Sequence, residues 1–346
     1  MLPPAASSFS FRVSAVSFAA LFSLGFCVCL NAEESVADKL SAQVHKIFEE
    51  RGRAVVKVRA TDALGIRYGS GFFSDPFGTL YTHAGIVLKA QEVRVIFDGK
   101  ELPAKILVAD QRSGIAILKV DASTPFIPIG DSKPVDIATP VVLIGYPEDL
   151  EECPSFGFIA GRDRKYLGQY FSTTHFRANL SVQRGQGGSP ILNMKGESIG
   201  ILVGSLGDGS ACHILPMQAA EKLHRDLVRF GELRPGWVGV EVEDARESVE
   251  GSTARIGALD PETPAALSGL QLGDVLLRVG NTPITTSEDV LDASYYLTAG
   301  DPAEIQVMRG SQKLSFPVKP TLHPLAPDHE MQATSAPDAT SNIAPK

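Results

Sequence analysis

Cysteine is scarce in this chain, with four among 346 residues, and two of them, Cys27 and Cys29, sit inside an apolar N-terminal run. That leaves Cys153 and Cys212, too few for a disulfide-stapled scaffold; a single bridge between them and a pair of buried small hydrophobes are equal readings. No metal-ligand spacing occurs, because His83, His175 and His213 are scattered and each reads as a structural histidine. Nothing in the pattern calls for a cofactor. Positive charge is also short, at 32 Lys and Arg against 40 Asp and Glu, and no basic stretch exceeds Arg162–Lys165. A net charge of −8 argues against a nucleic-acid partner, which demands a basic footprint. Behind Leu30 no further apolar run is long enough to be a candidate transmembrane segment.

What is present fits an exported, folded protein of two or three domains, with 44% hydrophobic and 21% charged residues. Residues 1–32 read as a signal peptide: a lone Arg12, an apolar run from Val13 to Leu30, then Asn31-Ala32. The run is about as long as the shortest membrane spans, so an uncleaved anchor is the alternative. Val36, Leu40, Val44, Ile47 and Phe48 recur at helical spacing and predict an N-terminal helix within 33–52. From residue 53 to 233 short β-rich runs alternate with Gly and Pro, which points to a mainly β sandwich or barrel closed by a helix over Met217–Phe230. Beyond Thr321 the composition turns to Pro, Ala, Ser, Thr and Asp, so 322–346 reads as a disordered tail.

Three segments carry a specific resemblance. The run from Gly69 to Val87, GSGFFSDPFGTLYTHAGIV, is similar to the GSGFIIDPDGYIVTNAHVV of HtrA/Deg-type trypsin-like serine proteases. Asp110–Val120, DQRSGIAILKV, resembles the family's DPRTDLAVLKV, and Gly185–Asn193, GQGGSPILN, resembles GNSGGPLVN. In these frames Gly85 stands for the catalytic histidine, Gly114 for the aspartate and Gly187 for the serine. His83 takes an asparagine position, and sliding it onto the histidine position breaks the match at Thr82, Ala84 and Val87. Asn179 and Gln183 are further departures. The resemblance implies a chymotrypsin-like double six-stranded β-barrel over 53–233, with a cleft between its halves.

A triad needs a hydroxyl, an imidazole to take its proton and a carboxylate to orient that imidazole, and glycine supplies none of these atoms. Losing the serine or histidine alone costs on the order of a million-fold in turnover. The expectation is therefore a catalytically inactive homologue of a serine endopeptidase. The alternative is an endopeptidase with an unconventional site built from His83 and Ser189.

The second resemblance lies at 234–321. Gly236–Val240, GWVGV, and Thr263–Asp274, TPAALSGLQLGD, are similar to the PDZ pattern of the same family. A PDZ module adds an extended peptide to an open sheet edge and holds its terminal carboxylate on backbone N–H groups. The resemblance assigns those donors to Trp237, Val238, Gly239 and Val240, and the far wall of the groove to a helix carrying Leu291 and Tyr295; Val290 and Leu297 read equally as core. Thr286 and Asp289 are set to cap that helix. The implied partners are protein C-termini or extended peptides, an active HtrA-type protease in mixed oligomers, and further copies of the chain, as a trimer by family resemblance.

Overall fold

The computed structural model describes residues 35–148 and 150–323, so the run read as a signal peptide and the tail beyond His323 lie outside the described residues. Helix α1 (Val36–Arg51) starts at Ser35, whose hydroxyl accepts from the Asp38 amide at 3.1 Å and donates to its carboxylate at 2.7 Å. Further along, Ile47 is buried and the Gln43 side chain donates to the Met194 carbonyl at 2.8 Å.

The first barrel is built from β1 (Val55–Asp62), β2 (Gly65–Phe73), β3 (Thr79–His83), the short α2 (Ala84–Val87), β4 (Glu92–Phe97), β5 (Lys100–Pro103), β6 (Lys105–Asp110) and β7 (Ile115–Lys119). Its strands run in the order β5-β4-β1-β2-β3-β7-β6. The seventh strand arises because one barrel strand breaks in two at Pro103-Ala104. Pro103 pairs with Arg94 at the end of β5 and offers no ladder N–H, the Ala104 amide bonds the Val93 carbonyl, and β6 then pairs with β7. Alternation buries Val56, Val58, Ala60, Phe73, Leu80, Val95 and Leu118 on the inside.

A closed six-stranded barrel follows, made by β8 (Pro140–Gly145), β9 (Cys153–Tyr166), β10 (Gln169–Ala178), β11 (Pro190–Leu192), β12 (Ser198–Leu206) and β13 (Ala211–Pro216). Val141, Leu143, Ile159, Phe176, Ile191 and Ile214 fill it. A third apolar cluster joins the halves, placing Phe72, Tyr81, Ile115 and Ile117 against Val142, Ile144, Leu192, Ile201 and Leu215. Helix α3 (Met217–Phe230) turns Met217, Ala219, Ala220 and Leu223 onto this cluster and ends at Gly231 in the left-handed region, φ 74°.

The last sheet contains β14 (Val240–Val249), β15 (Ser252–Leu259), β16 (Val275–Val279), β17 (Thr282–Pro283), β18 (Ala303–Arg309) and β19 (Gln312–Val318), with α4 (Pro264–Leu267) and α5 (Ser287–Tyr295) packed on it. β14 lies at the open end of the order β14-β15-β16-β18-β19. Thr286 and Asp289 form the expected capping box of α5.

The back of α5 is held by the second barrel. Asp292 accepts from the Thr173 hydroxyl and the Thr174 amide, both at 2.6 Å; Arg164 pairs with Asp289 at 2.5 Å and Lys165 with Glu288 at 3.2 Å. Tyr295 is buried in the apolar cluster under α3, and its hydroxyl donates to the Ala219 carbonyl at 3.4 Å. Mainly β architecture with a double barrel and a PDZ-like sheet is thus what the chain adopts. Tyr295 faces the barrel, not a peptide groove, which corrects the expectation drawn from its place on the helix.

Candidate functional site

Three loops meet where the two barrels touch, and each carries one of the glycines singled out above. The end of β3 delivers His83 and then Gly85. The turn between β6 and β7 holds Gly114, whose carbonyl accepts from the Ala84 amide at 2.7 Å and so ties the first two loops together. The third loop, 184–189, is anchored from below by Ser70: its amide donates to the Gly187 carbonyl at 2.9 Å and its hydroxyl to the Gly185 carbonyl at 2.9 Å. Arg67 braces the far side by donating to the carbonyls of Gly85 and Leu88.

The glycines converge on one side chain. A Cβ built on Gly85 comes 2.8 Å from His83 Cε1 and 3.0 Å from Nδ1; one on Gly114 comes 3.5 Å from His83 Nε2; one on Gly187 comes 3.6 Å from His83 Cβ. The imidazole therefore fills the hollow that three larger side chains would otherwise share. It makes no hydrogen bond to another described residue. Burial pushes its pKa below the ordinary histidine value, so at neutral pH the ring is an uncharged filler.

Each glycine tolerates a side chain differently. Gly187 has room and an ordinary φ, so nothing in the backbone requires glycine there. Gly188 next to it does require it, at φ 89° with its virtual Cβ 2.3 Å from the Ser70 carbonyl. Gly85 is blocked by the His83 ring alone. Gly114 sits at φ 77°, in the left-handed region, where an aspartate is strained.

The backbone donors of the third loop persist. The Arg184 and Gln186 carbonyls are turned inward, accepting from the amides of Glu148 and Ser189, and the N–H groups of Gly185 and Gly187 donate to nothing among the described residues. Such a pair suits a developing oxyanion. What the loop lacks is a nucleophile beside a base. Ser189 is fully buried on the outgoing strand, its Oγ without a hydrogen-bond partner and crowded against Gly145, where a built Cβ would lie 2.0 Å from it. Asp110 accepts from the Ser113 amide and pairs with Arg112, and it bonds no histidine among the described residues.

The remaining polar groups here are structural. His175 is buried with Nδ1 2.8 Å from the Thr173 carbonyl, and desolvation pushes its pKa down to about 4. His213 Nε2 lies 3.0 Å from the Asp163 carboxylate. Cys153 and Cys212 are free thiols: Cys153 accepts weakly from Gln186 Nε2 at 3.8 Å, while burial pushes the Cys212 thiol up to about 12.

The second candidate site lies along β14. Val238 and Gly239 keep N–H groups that donate to nothing among the described residues, and the Val238 carbonyl accepts from Ala265. Gly239 turns at φ 77°, with Thr263 so close that a built Cβ would lie 2.4 Å away. The Trp237 amide is not a free donor as expected, because it bonds the Thr321 carbonyl at 2.7 Å in a two-bond bridge between distant segments. Its ring stacks edge-on with His323. Of the helix residues, Leu291 is exposed at 39%, while Val290 and Leu297 are core.

Comparison with known proteins agrees with both halves. A model of the trypsin-like peptidase domain matches residues 69–201 and a PDZ domain model matches 236–319. A probable periplasmic serine endoprotease, DegP-like, from Halomonas elongata is 30% identical over 257 residues, covering 70% of this chain and 54% of the relative. A protein of the same description from Pseudomonas putida is 29% identical over 72% of this chain and 55% of its own length. A putative serine protease, HhoB, from Synechocystis is 29% identical over 73% of this chain and 66% of its own length. The chain spans about half the length of the DegP-like relatives. Among solved structures, an HtrA-type protease AlgW with a tripeptide superposes with a TM-score of 0.70 at 22% identity, covering 83% of this chain and 99% of that one. A serine endoprotease from Yersinia pestis gives 0.61 at 24% identity, over 81% and 98%. At these identities the structures speak for the fold.

Proposed function

Since the chain joins a trypsin-like peptidase domain to a PDZ domain in the HtrA/DegP manner, we propose that it is an exported pseudoprotease that binds polypeptides through its PDZ groove without cleaving them. The observation that carries this is the convergence of Gly85, Gly114 and Gly187 on the unbonded ring of His83. Among the described residues no hydroxyl bonds the His83 ring, so neither step of acyl transfer has its proton acceptor in this cleft. The relatives are named serine endoproteases, and the reading of this chain as inactive rests on its own side chains. The unconventional His83–Ser189 site finds no support, because Ser189 Oγ is buried against Gly145 and unpartnered. Export follows the relatives' description as periplasmic, and among the described residues no helix is long and apolar enough to cross a membrane.

In this reading a hydrophobic C-terminus docks its carboxylate on the loop of Val238 and Gly239 and continues as a strand along β14, with Leu291 of α5 opposite. Partners of that kind, an active HtrA-type protease in mixed assemblies and further copies of the chain are the interactions we assign to it. Binding of a fluorescent octapeptide ending in two valines, followed by anisotropy, tests the groove. Leu291→Asp is expected to weaken binding at least tenfold, as is amidation of the peptide C-terminus, while Tyr295→Phe leaves it unchanged because that residue belongs to the barrel contact. Equal affinity for Leu291→Asp and the unmodified protein contradicts the assignment.

A further inference from the structure

Charge is distributed unevenly along the chain. Of its 40 acidic and 32 basic residues, the segment 236–319 holds thirteen and six, so nearly all of the net negative charge belongs to the PDZ module. Its placement matters more than its total. The acids at the back of α5, namely Glu288, Asp289 and Asp292, are spent on Arg164, Lys165 and the hydroxyl and amide of Thr173 and Thr174. Those flanking the open edge of β14 are engaged only within the module, Asp244 by Ser287 and Thr253 and Glu243 by Arg255.

Side chains along β14 alternate. Val240 and Val242 pack toward the module's core, and Asp244 follows them on the same face, where its carboxylate accepts from the Ser287 hydroxyl at 2.6 Å, the Ser287 amide at 2.9 Å and the Thr253 hydroxyl at 2.7 Å. These bonds pin the far end of the strand to the start of α5 and hold the Asp244 pKa below its ordinary value. No cation is paired with it among the described residues. On the opposite face Glu241 is exposed and forms no ion pair among the described residues, and Glu243 shares its charge with Arg255 at 2.5 Å in a solvent-exposed pair. Glu247 and Glu250 continue the exposed acidic row, against the single cation of β14, Arg246.

Building on the reading of β14 as a peptide-accepting edge, we infer that this groove selects cationic polypeptides: extended segments with a hydrophobic C-terminal residue and lysine or arginine upstream of it. A strand added to β14 alternates its side chains across the same two faces. Those directed toward α5 meet Val240, Val242 and Leu291 and then the Asp244 carboxylate. Those directed outward come opposite Glu241 and Glu243. Hydrophobic anchoring sits at the loop end and negative charge further along, so the two requirements fall on different residues of one ligand. An acidic ligand meets repulsion on both faces.

The test uses the full exported chain and three labelled octapeptides with the same two-valine C-terminus, preceded by lysines, by serines or by glutamates. Exposed pairs of this kind are individually weak, so the lysine peptide is expected to bind about three- to tenfold tighter than the serine peptide, and the glutamate peptide correspondingly weaker. Raising salt from 50 to 500 mM shortens the Debye length several-fold and is expected to collapse the three affinities toward one another. Glu241→Gln, at an exposed position away from the core, narrows the lysine preference without abolishing serine-peptide binding. Equal affinities for all three peptides at low salt overturn the charge preference while leaving the groove intact. Failure of every peptide, including the serine control, overturns the groove itself.

Discussion

Installing Gly85→His, Gly114→Asp and Gly187→Ser together is expected to leave peptide-bond hydrolysis at background, and a fluorophosphonate probe is expected not to label the triple variant. In an ordinary protease restoring the missing groups recovers a factor on the order of a million. Here the hollow they need is already filled. An imidazole at position 85 begins with its Cβ 2.8 Å from the His83 ring, closer than real Cβ atoms come, and an aspartate at 114 inherits a left-handed backbone at φ 77° that costs roughly 1 kcal/mol or more. Adding His83→Asn vacates the space. Since the N–H groups of Gly185 and Gly187 are unspent and Gly187 has room for a hydroxymethyl group, the fourfold variant is expected to gain probe labelling that the triple variant lacks. Turnover in the triple variant equal to that of the fourfold one contradicts the claim that His83 blocks the site.

The largest expected effect on stability lies away from the cleft. Lys222 and Asp226, one turn apart on α3, are each 1% exposed, with Nζ and Oδ2 2.6 Å apart. Asp226 also accepts from the Arg234 amide and the Thr298 hydroxyl, both at 3.1 Å, so a single carboxylate ties α3, the segment leading into the PDZ module and the end of α5 together. Desolvation already holds the Lys222 pKa below the ordinary lysine range. Asp226→Ala strands that ammonium and two donors in the interior and is expected to cost about 3–5 kcal/mol in denaturant unfolding. The double replacement Lys222→Met with Asp226→Leu removes both charges and is expected to cost far less. A loss for Asp226→Ala under 1 kcal/mol means that water reaches the pair and that it is no buried tie.

Much of this was legible in the sequence because flanking residues fixed the frame. Pro190 and Asn193 lock the third loop, Ile115 to Val120 lock the second, and the TPAALSGLQLGD block marks the PDZ module without help from structure. The glycines could be located this way, but their meeting on His83 could not, since a strand-end histidine points into a hollow only once three distant loops close around it. The Trp237 amide was misjudged for the same reason: its partner, Thr321, lies more than eighty residues away. Tyr295 lies one helical turn from Leu291, and the resemblance assigns both to a groove wall; the apolar cluster behind α5 claims the tyrosine. Lys222 and Asp226 have the spacing of a surface pair, and only tertiary packing around α3 buries them.

The central claim is that this protein holds other polypeptides without cutting them. The most direct measurement is to incubate the unmodified chain with unfolded casein and the two-valine octapeptide and to follow both binding and new chain ends by mass spectrometry. The account predicts a peptide complex and no new termini on either substrate over many hours. New termini that appear with the unmodified protein and vanish with Ser189→Ala or His83→Ala contradict it.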